Sequence, residues 1–311
     1  MTPLREHLEE YVTLRRQLGF KFPRAGVLLQ NFVRFAEKED ASFITTKLAL
    51  RWATQPTNVA PGRHADRLSI VRQFAAYLSG VDPRTEVPPQ RLLPYHSHRT
   101  TPQLYRDADV LRLLNAARQI ESRKGLDGAT YSTLFGLLAV TGMRVGETVG
   151  LESKDIDFDR ALLTLRQTKG DKSRLVPVHA STAQALRRYA TLRDQKCPRP
   201  LSPRFFLSER GTCLSYWDVN HCFLSLARQI GLRGPPGCRG VRLHDLRHRF
   251  AIRTLEKWYR SSTNAEKHLP ELATYLGHVH VRYTYWYLSA TPTLLQLATR
   301  RLQHKRGERF I

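Results

Sequence analysis

Residues 154–178 read K-D-I-D-F-D-R-A-L-L-T-L-R-Q-T-K-G-D-K-S-R-L-V-P-V, and the hydrophobic period of the chain changes there. Ile156 and Phe158 flank Asp157, and the apolar runs A-L-L-T-L-R-Q (161–167) and R-L-V-P-V (174–178) follow. Turn-forming groups separate them, first Asp159 and Arg160, then residues 169–173. Short runs bounded by turns suit strands, because successive strand side chains face opposite ways. The stretch predicts a short antiparallel β-meander. On both sides of it the apolar spacing is three and four, the period of amphipathic helices. Leu4, Leu8, Tyr11, Leu14 and Leu18 open such a pattern, and Val27, Leu28, Phe32 and Phe35 continue it. A third helix is expected near 48–53, and a fourth carries Leu68, Val71, Phe74, Ala75 and Leu78 before Gly80. Beyond these, helices are expected over 107–118, 129–140, 182–193, 216–230, 244–260, 270–276 and 292–303. The fold class is therefore mainly α with a small antiparallel β-sheet: an N-terminal helical bundle joined by a linker to a larger α+β domain.

The linker is marked by proline. Pro83, Pro88, Pro89, Pro94 and Pro102 fall in or beside 82–101, among Arg91, His96, His98 and Arg99. Proline fixes φ and removes an amide donor, so the segment reads as extended chain with basic side chains. The expected divisions are a helical bundle at 1–81, the linker at 82–101, the main domain at 102–291, and a C-terminal helix with basic tail at 292–311. No internal repeat or low-complexity block interrupts them.

Lysine and arginine number 50 against 27 acidic residues, a formal charge of +23 over 311 residues. Such an excess of one sign repels itself in a compact chain, and a polyanion relieves it; nucleic acid is the commonest such partner. The N-terminal stretch lacks the apolar run of a signal peptide, and no stretch approaches the roughly 20 apolar residues that span a bilayer. No membrane partner is expected. Cys197, Cys213, Cys222 and Cys238 are dispersed and form no C-x-x-C pair, which suits neither a disulfide framework nor a zinc ribbon. A cytoplasmic, nucleoid-associated location is expected.

Four clusters of cationic or imidazole groups stand in the main domain. T-G-M-R-V-G-E at 141–147 follows the apolar helix, and Gly142 permits a sharp turn that aims Arg144 from the end of a buried element. T-K-G-D-K-S-R at 168–174 lies on a β-turn tip. H-D-L-R-H at 244–248 opens a helix, where the spacing puts His244, Arg247 and His248 on one face. L-G-H at 276–278 makes Gly277 a helix C-cap ahead of His278, and the aromatic run Y-T-Y-W-Y-L follows at 283–288. His244 and His248 have the spacing of a zinc helix. Yet Asp-Leu-Arg stands between them instead of the general-base glutamate of H-E-x-x-H, and an arginine there repels a cation.

These clusters, in this order, resemble the tyrosine recombinase (phage integrase) family. T-G-M-R-V-G-E resembles its first-arginine box, H-D-L-R-H-R-F-A its H-x-x-R box, and L-G-H followed by a tyrosine at 287 its nucleophile segment. The resemblance is specific over about 134–288 and only architectural before the linker, where a core-binding helical domain is implied. It implies an enzyme that breaks and rejoins double-stranded DNA through a 3′-phosphotyrosine. Its site would comprise Arg144, Lys169, His244, Arg247, His278 and Tyr287, with Lys172 a weaker claimant to the place of Lys169.

The chemistry needs those residue types. Attack on a phosphodiester gathers charge on the non-bridging oxygens, and guanidinium forks stabilise it with paired hydrogen bonds; Arg144 and Arg247 take that role. By the resemblance, His244 is the proton-transfer group nearest the nucleophile, His278 binds the phosphate, and Lys169 protonates the departing 5′-hydroxyl. Tyr287 is preferred over Tyr283 and Tyr285 because T-Y-W-Y reproduces the family's T-x-x-Y and its offset from His278. Glu147 and Asp245 read as support for the cations or as caps. No G-x-x-x-x-G-K-[ST] loop and no acidic triad is evident, so neither cofactor nor metal is expected. The segment V-H-V-R-Y (279–283) departs from the small acidic turn of relatives, and G-P-P-G-C-R-G (234–240) is an insertion without an assigned role. Expected partners are DNA, other copies of the chain in a tetrameric synaptic complex joined through the C-terminal segment, and accessory recombination proteins. An inactive DNA-binding regulator, a related topoisomerase and, more distantly, a metalloprotease are the competing classes.

Overall fold

A computed structural model describes residues 3–20, 22–59, 61–94, 103–166, 173–238, 240–261, 265–289 and 291–307. The chain forms two compact units, Met1–Thr100 and Thr101–Ile311.

The first unit holds α1 (Pro3–Gln17), α2 (Pro23–Lys38), α3 (Thr46–Thr54) and α4 (Pro61–Leu78). Each contributes an apolar stripe to one core: Leu4, Leu8 and Tyr11 from α1, Leu29, Phe32 and Val33 from α2, Trp52 from α3, and Val71 and Phe74 from α4. Proline occupies the first turn of α2, where its missing N–H costs nothing. Thr45 caps α3 by accepting from the Leu48 amide at 3.1 Å. Leu14 and Leu18, which continue the periodic pattern of α1, are exposed at 40% and 62%, so the pattern outruns the core. The proline-rich stretch also differs from a free linker at its start. Thr85 is buried, the Glu86 amide donates to Ile44 O at 2.8 Å, and the Glu86 carboxylate accepts from the Thr46 amide at 2.8 Å. Proline content signals extended backbone but not the strand-like contact that fastens it.

The second unit begins with α5 (Asp107–Arg118), α6 (Asp127–Thr141) and the short α7 (Val145–Gly150). Helix α6 is apolar around its circumference and buries Leu134, Phe135, Leu137 and Leu138, as a central helix must. The meander forms β1 (Ile156–Asp157), β2 (Leu162–Leu165) and β3 (Arg174–Pro177), antiparallel in the order β1-β2-β3. Its register pairs Ile156 with Leu163 and Leu163 with Val176, so those apolar groups share the buried face. Lys169 and Lys172 lie outside the described residues.

Then come α8 (Ala180–Lys196), α9 (Tyr216–Gln229), α10 (Asp245–Arg260), α11 (Ala265–Leu276), α12 (Arg282–Tyr285), a 3₁₀ turn (Trp286–Ser289) and α13 (Pro292–Gly307). Helix α11 starts before the expected position and contains Pro270. A proline reads from sequence as a first-turn residue, and here the apolar face of Leu269, Leu272 and Leu276 outweighs the lost hydrogen bond. The unit has a large core around α6 and a smaller one in which α10 and α11 enclose Tyr287 and Leu294. The 234–240 insertion is closed at its base by an Arg233–Gly240 bridge, and Arg233 donates to Gly240 O and Val241 O. Among the described residues no helix is long and apolar enough to cross a membrane.

Candidate active site

Helix α6 ends on Gly142, whose φ of 63° and ψ of 19° are left-handed. A Cβ there would lie 2.6 Å from the Phe250 ring, so conformation and space both require glycine. The turn delivers Arg144 as the N-cap of α7. Its amide donates to Glu147 Oε2 at 3.0 Å, and its guanidinium donates to Glu147 Oε1 at 2.7 Å and to Gly277 O at 2.7 Å. Arg174, from β3, grips the same carboxylate with two bonds of 3.0 and 2.8 Å and donates through Nε to Tyr275 O at 2.9 Å. Burial opposes ionisation of Glu147, but the hydrogen bonds from Arg174 and Arg144 outweigh it and hold the carboxyl at about 2. Glu147 is thus a permanent anion that sets the position of two guanidinium groups.

Arg247 is 3% exposed and reaches the same place from α10. It donates to Gly142 O at 2.7 Å and to Leu276 O at 2.6 Å. Burial, then the neighbouring Arg144, lower it to about 10, which leaves it charged at neutral pH. Arg144 and Arg247 therefore converge on consecutive peptide carbonyls at the end of α11. Gly277, with φ of 69°, makes this approach possible, since a Cβ would lie 2.6 Å from the Arg174 guanidinium. Asp245 is buried and accepts from the Arg242 amide and guanidinium at 2.8 Å each, anchoring the start of α10.

Three imidazoles and a phenol complete the cluster. His278 Nδ1 lies 2.8 Å from Thr284 Oγ1, and its ring lies nearly parallel to that of Tyr287, 17° between planes at 6.2 Å. The Tyr287 hydroxyl lies 3.2 Å from His248 Nδ1, and Tyr287 is 3% exposed. His244 meets His248 edge to face at 4.8 Å. Burial and then a neighbouring group push His248, His278 and His244 down to about 4, although His244 is an exposed residue. For His248 that neighbour is the His244 imidazole, which would repel a second proton; for the other two it is the Arg247 guanidinium. All three are neutral at pH 7. Tyr283 and Tyr285 turn outward, 38% and 53% exposed, although Tyr283 keeps ring contacts with His278 and His280.

Two fixed guanidinium groups, three neutral imidazoles and a phenol thus lie around the junction of α6, α10 and α11. Residues 103–293 match the model of the Phage integrase family. The chain belongs to the phage integrase family of tyrosine recombinases. Such enzymes break and rejoin DNA, and this recombinase is one of them. It is 46% identical to y4rB of Sinorhizobium fredii, a protein named as an integrase/recombinase, over 99% of this chain and all of that one. It is 28% identical to tyrosine recombinase XerC of Herpetosiphon aurantiacus, over 91% of this chain and 90% of that one. In fold it resembles the Tn1549 transposon integrase solved with transposon right end DNA, with a TM-score of 0.68, 16% identity, and 98% and 99% of the two chains covered.

Of the residues expected in the recombinase site, Arg144, His244, Arg247, His278 and Tyr287 come together; Lys169 falls outside the described residues. Sequence reasoning passed over two others. His248 shares the helix face of His244, a signal that was visible but resembled metal spacing. Arg174 stood at the end of the T-K-G-D-K-S-R cluster, but nothing in the sequence tied it to Glu147, which is 27 positions away and meets it only through the sheet.

Proposed function

We propose that this recombinase is the integrase or transposase of a mobile element, exchanging strands at specific DNA sites through a 3′-phosphotyrosine at Tyr287. The observation that carries this reading is the junction where Arg144 and Arg247 meet the 276–277 backbone, beside a phenol flanked by imidazoles. Tyr287 Oη attacks the phosphorus, the bond to the 5′-oxygen breaks, and the two guanidinium groups stabilise charge on the non-bridging oxygens. His278 binds a phosphate oxygen, His244 serves proton transfer from its place against His248, and Lys169 protonates the leaving 5′-oxygen. The phosphotyrosine keeps the energy of the broken linkage, so rejoining needs no nucleotide. Tyr287 is enclosed in the unliganded chain, and engagement of DNA brings its hydroxyl to the phosphate.

The helical bundle at 1–81 serves as a DNA-binding domain, with 82–101 as linker and 102–291 as the catalytic domain. The 292–311 segment docks on a neighbouring copy within a tetrameric synaptic complex. The charge of +23 supports extensive phosphate contact, and accessory proteins set the direction of exchange.

The test uses duplex sequences that the parent protein captures covalently from a randomised pool, placed as a pair on a supercoiled plasmid. Strand exchange between the two sites, in EDTA and without ATP, is expected. Relaxation without exchange supports a topoisomerase, and binding without any strand scission supports a regulator.

A further inference from the structure

His248, one helical turn beyond His244, is in hydrogen-bonding contact with the phenol of Tyr287. Its Nδ1 lies 3.2 Å from Tyr287 Oη, and its ring also packs against Tyr287 and Trp286 at 5.6 and 5.3 Å. His244 meets the same His248 ring, edge to face, at 4.8 Å. The arrangement follows from the helix: positions four apart present their side chains one above the other, and Tyr287 packs into the core that α10 and α11 form.

We propose that His248 is a further catalytic residue of this recombinase, the immediate acceptor of the Tyr287 phenol proton. The inference rests on Tyr287 being the nucleophile. A phenol carries one proton, and an imidazole carrying its own proton on Nε2 has a bare Nδ1 to accept it. In cleavage the Oη–phosphorus bond forms, the phosphorus–5′-oxygen bond breaks, and the phenol proton passes to His248 Nδ1. The 5′-oxygen takes its proton from the separate general acid. Rejoining reverses each transfer, and His248 returns the proton to the departing phenolate. Among the described residues, the charged and titratable groups facing His248 are Arg242, His244, Asp245 and Arg247 along its own segment, and Tyr287, whose ring also stacks with His278. At neutral pH the ring is unprotonated and available as a base. An incoming phosphate places negative charge nearby and favours the imidazolium that forms on transfer.

The test compares the parent with His248→Asn and His248→Gln in single-turnover cleavage of a captured suicide duplex, across pH. Asparagine offers a hydrogen-bond acceptor near the Nδ1 position but takes no proton. Cleavage is expected to fall about 10²-fold or more in both variants, with DNA binding retained. Their rates are expected to climb with pH towards the phenol's own ionisation, near 10, where the parent's rate has levelled. A 5′-bridging phosphorothiolate, whose leaving group needs no proton, is expected to leave the defect in place. Parent-like rates and pH profile in His248→Asn overturn the inference and confine His248 to positioning, and so does rescue by the phosphorothiolate. If the parent's adduct maps to another residue, or no duplex is captured, the nucleophile assignment fails first and this inference with it.

Discussion

Replacing Glu147 with glutamine leaves two guanidinium groups without the anion that gathers them. The carboxylate is 7% exposed and accepts from Arg144 and Arg174 at 2.7 to 3.0 Å. Its pKa falls from 4.5 to about 2 in the fold. At about 1.4 kcal/mol for each pH unit, that difference corresponds to roughly 3 kcal/mol of stability. Removing one partner of a buried ion pair costs about 3–5 kcal/mol, the same scale. Because the folded value is depressed, the contribution is complete above about 4.5 and is lost as pH falls towards 2. Glu147→Gln is therefore expected to destabilise the second unit by roughly 3 kcal/mol at pH 7. At pH 3.5 the gap from the parent should narrow by about 1.4 kcal/mol. Urea titrations followed by tryptophan fluorescence measure both, since Trp258 and Trp286 lie in that unit and Trp52 reports on the other. A loss below about 1 kcal/mol, or a gap that does not change with pH, would refute the view that this anion holds the cations in place.

Two further outcomes follow from the same geometry. T-G-M-R-V-G-E holds two glycines that look alike in sequence, but a Cβ at Gly146 meets nothing within 4 Å whereas one at Gly142 meets Phe250. Gly142→Ala should cost roughly 2–4 kcal/mol in denaturant unfolding, and Gly146→Ala, in a helix, should stabilise by about 0.5 kcal/mol. His248 and His278, lowered to about 4, should make the protein lose stability as pH falls from about 6.5 towards 4. Below 6.5 the unfolded chain binds protons that the folded chain refuses, at up to about 1.4 kcal/mol per pH unit for each ring. Urea midpoints between pH 7 and 5 should fall in the parent and fall less steeply in His278→Gln.

The elements were largely legible because each carries its own period. The meander's Leu163 and Val176 share a face, and the longer helical runs fall close to where three-and-four spacing put them, except that α11 begins ahead of Pro270; the short α7 and α12 carry too few turns to show a period. The site's local parts were legible for the same reason: Gly142 before Arg144, and His244 with Arg247 on one face. What the sequence could not display is contact between remote segments. Arg174 and Glu147 meet only because β3 and α7 are brought together, and Arg247 reaches Gly142 O across 105 positions. His248 was visible as a neighbour of His244, but its partner Tyr287 became evident only where the 3₁₀ turn sets that phenol against it. The inward setting of Tyr287, against the outward setting of Tyr283 and Tyr285, is likewise a product of packing.

The most direct test of the whole account is to trap the protein on a nicked suicide duplex in EDTA and identify the DNA-linked residue by peptide mapping. A 3′-phosphate joined to Tyr287 is expected, in an adduct lost in Tyr287→Phe and retained in Tyr283→Phe and Tyr285→Phe. A link to either outward tyrosine, or an adduct that persists in Tyr287→Phe, would contradict it.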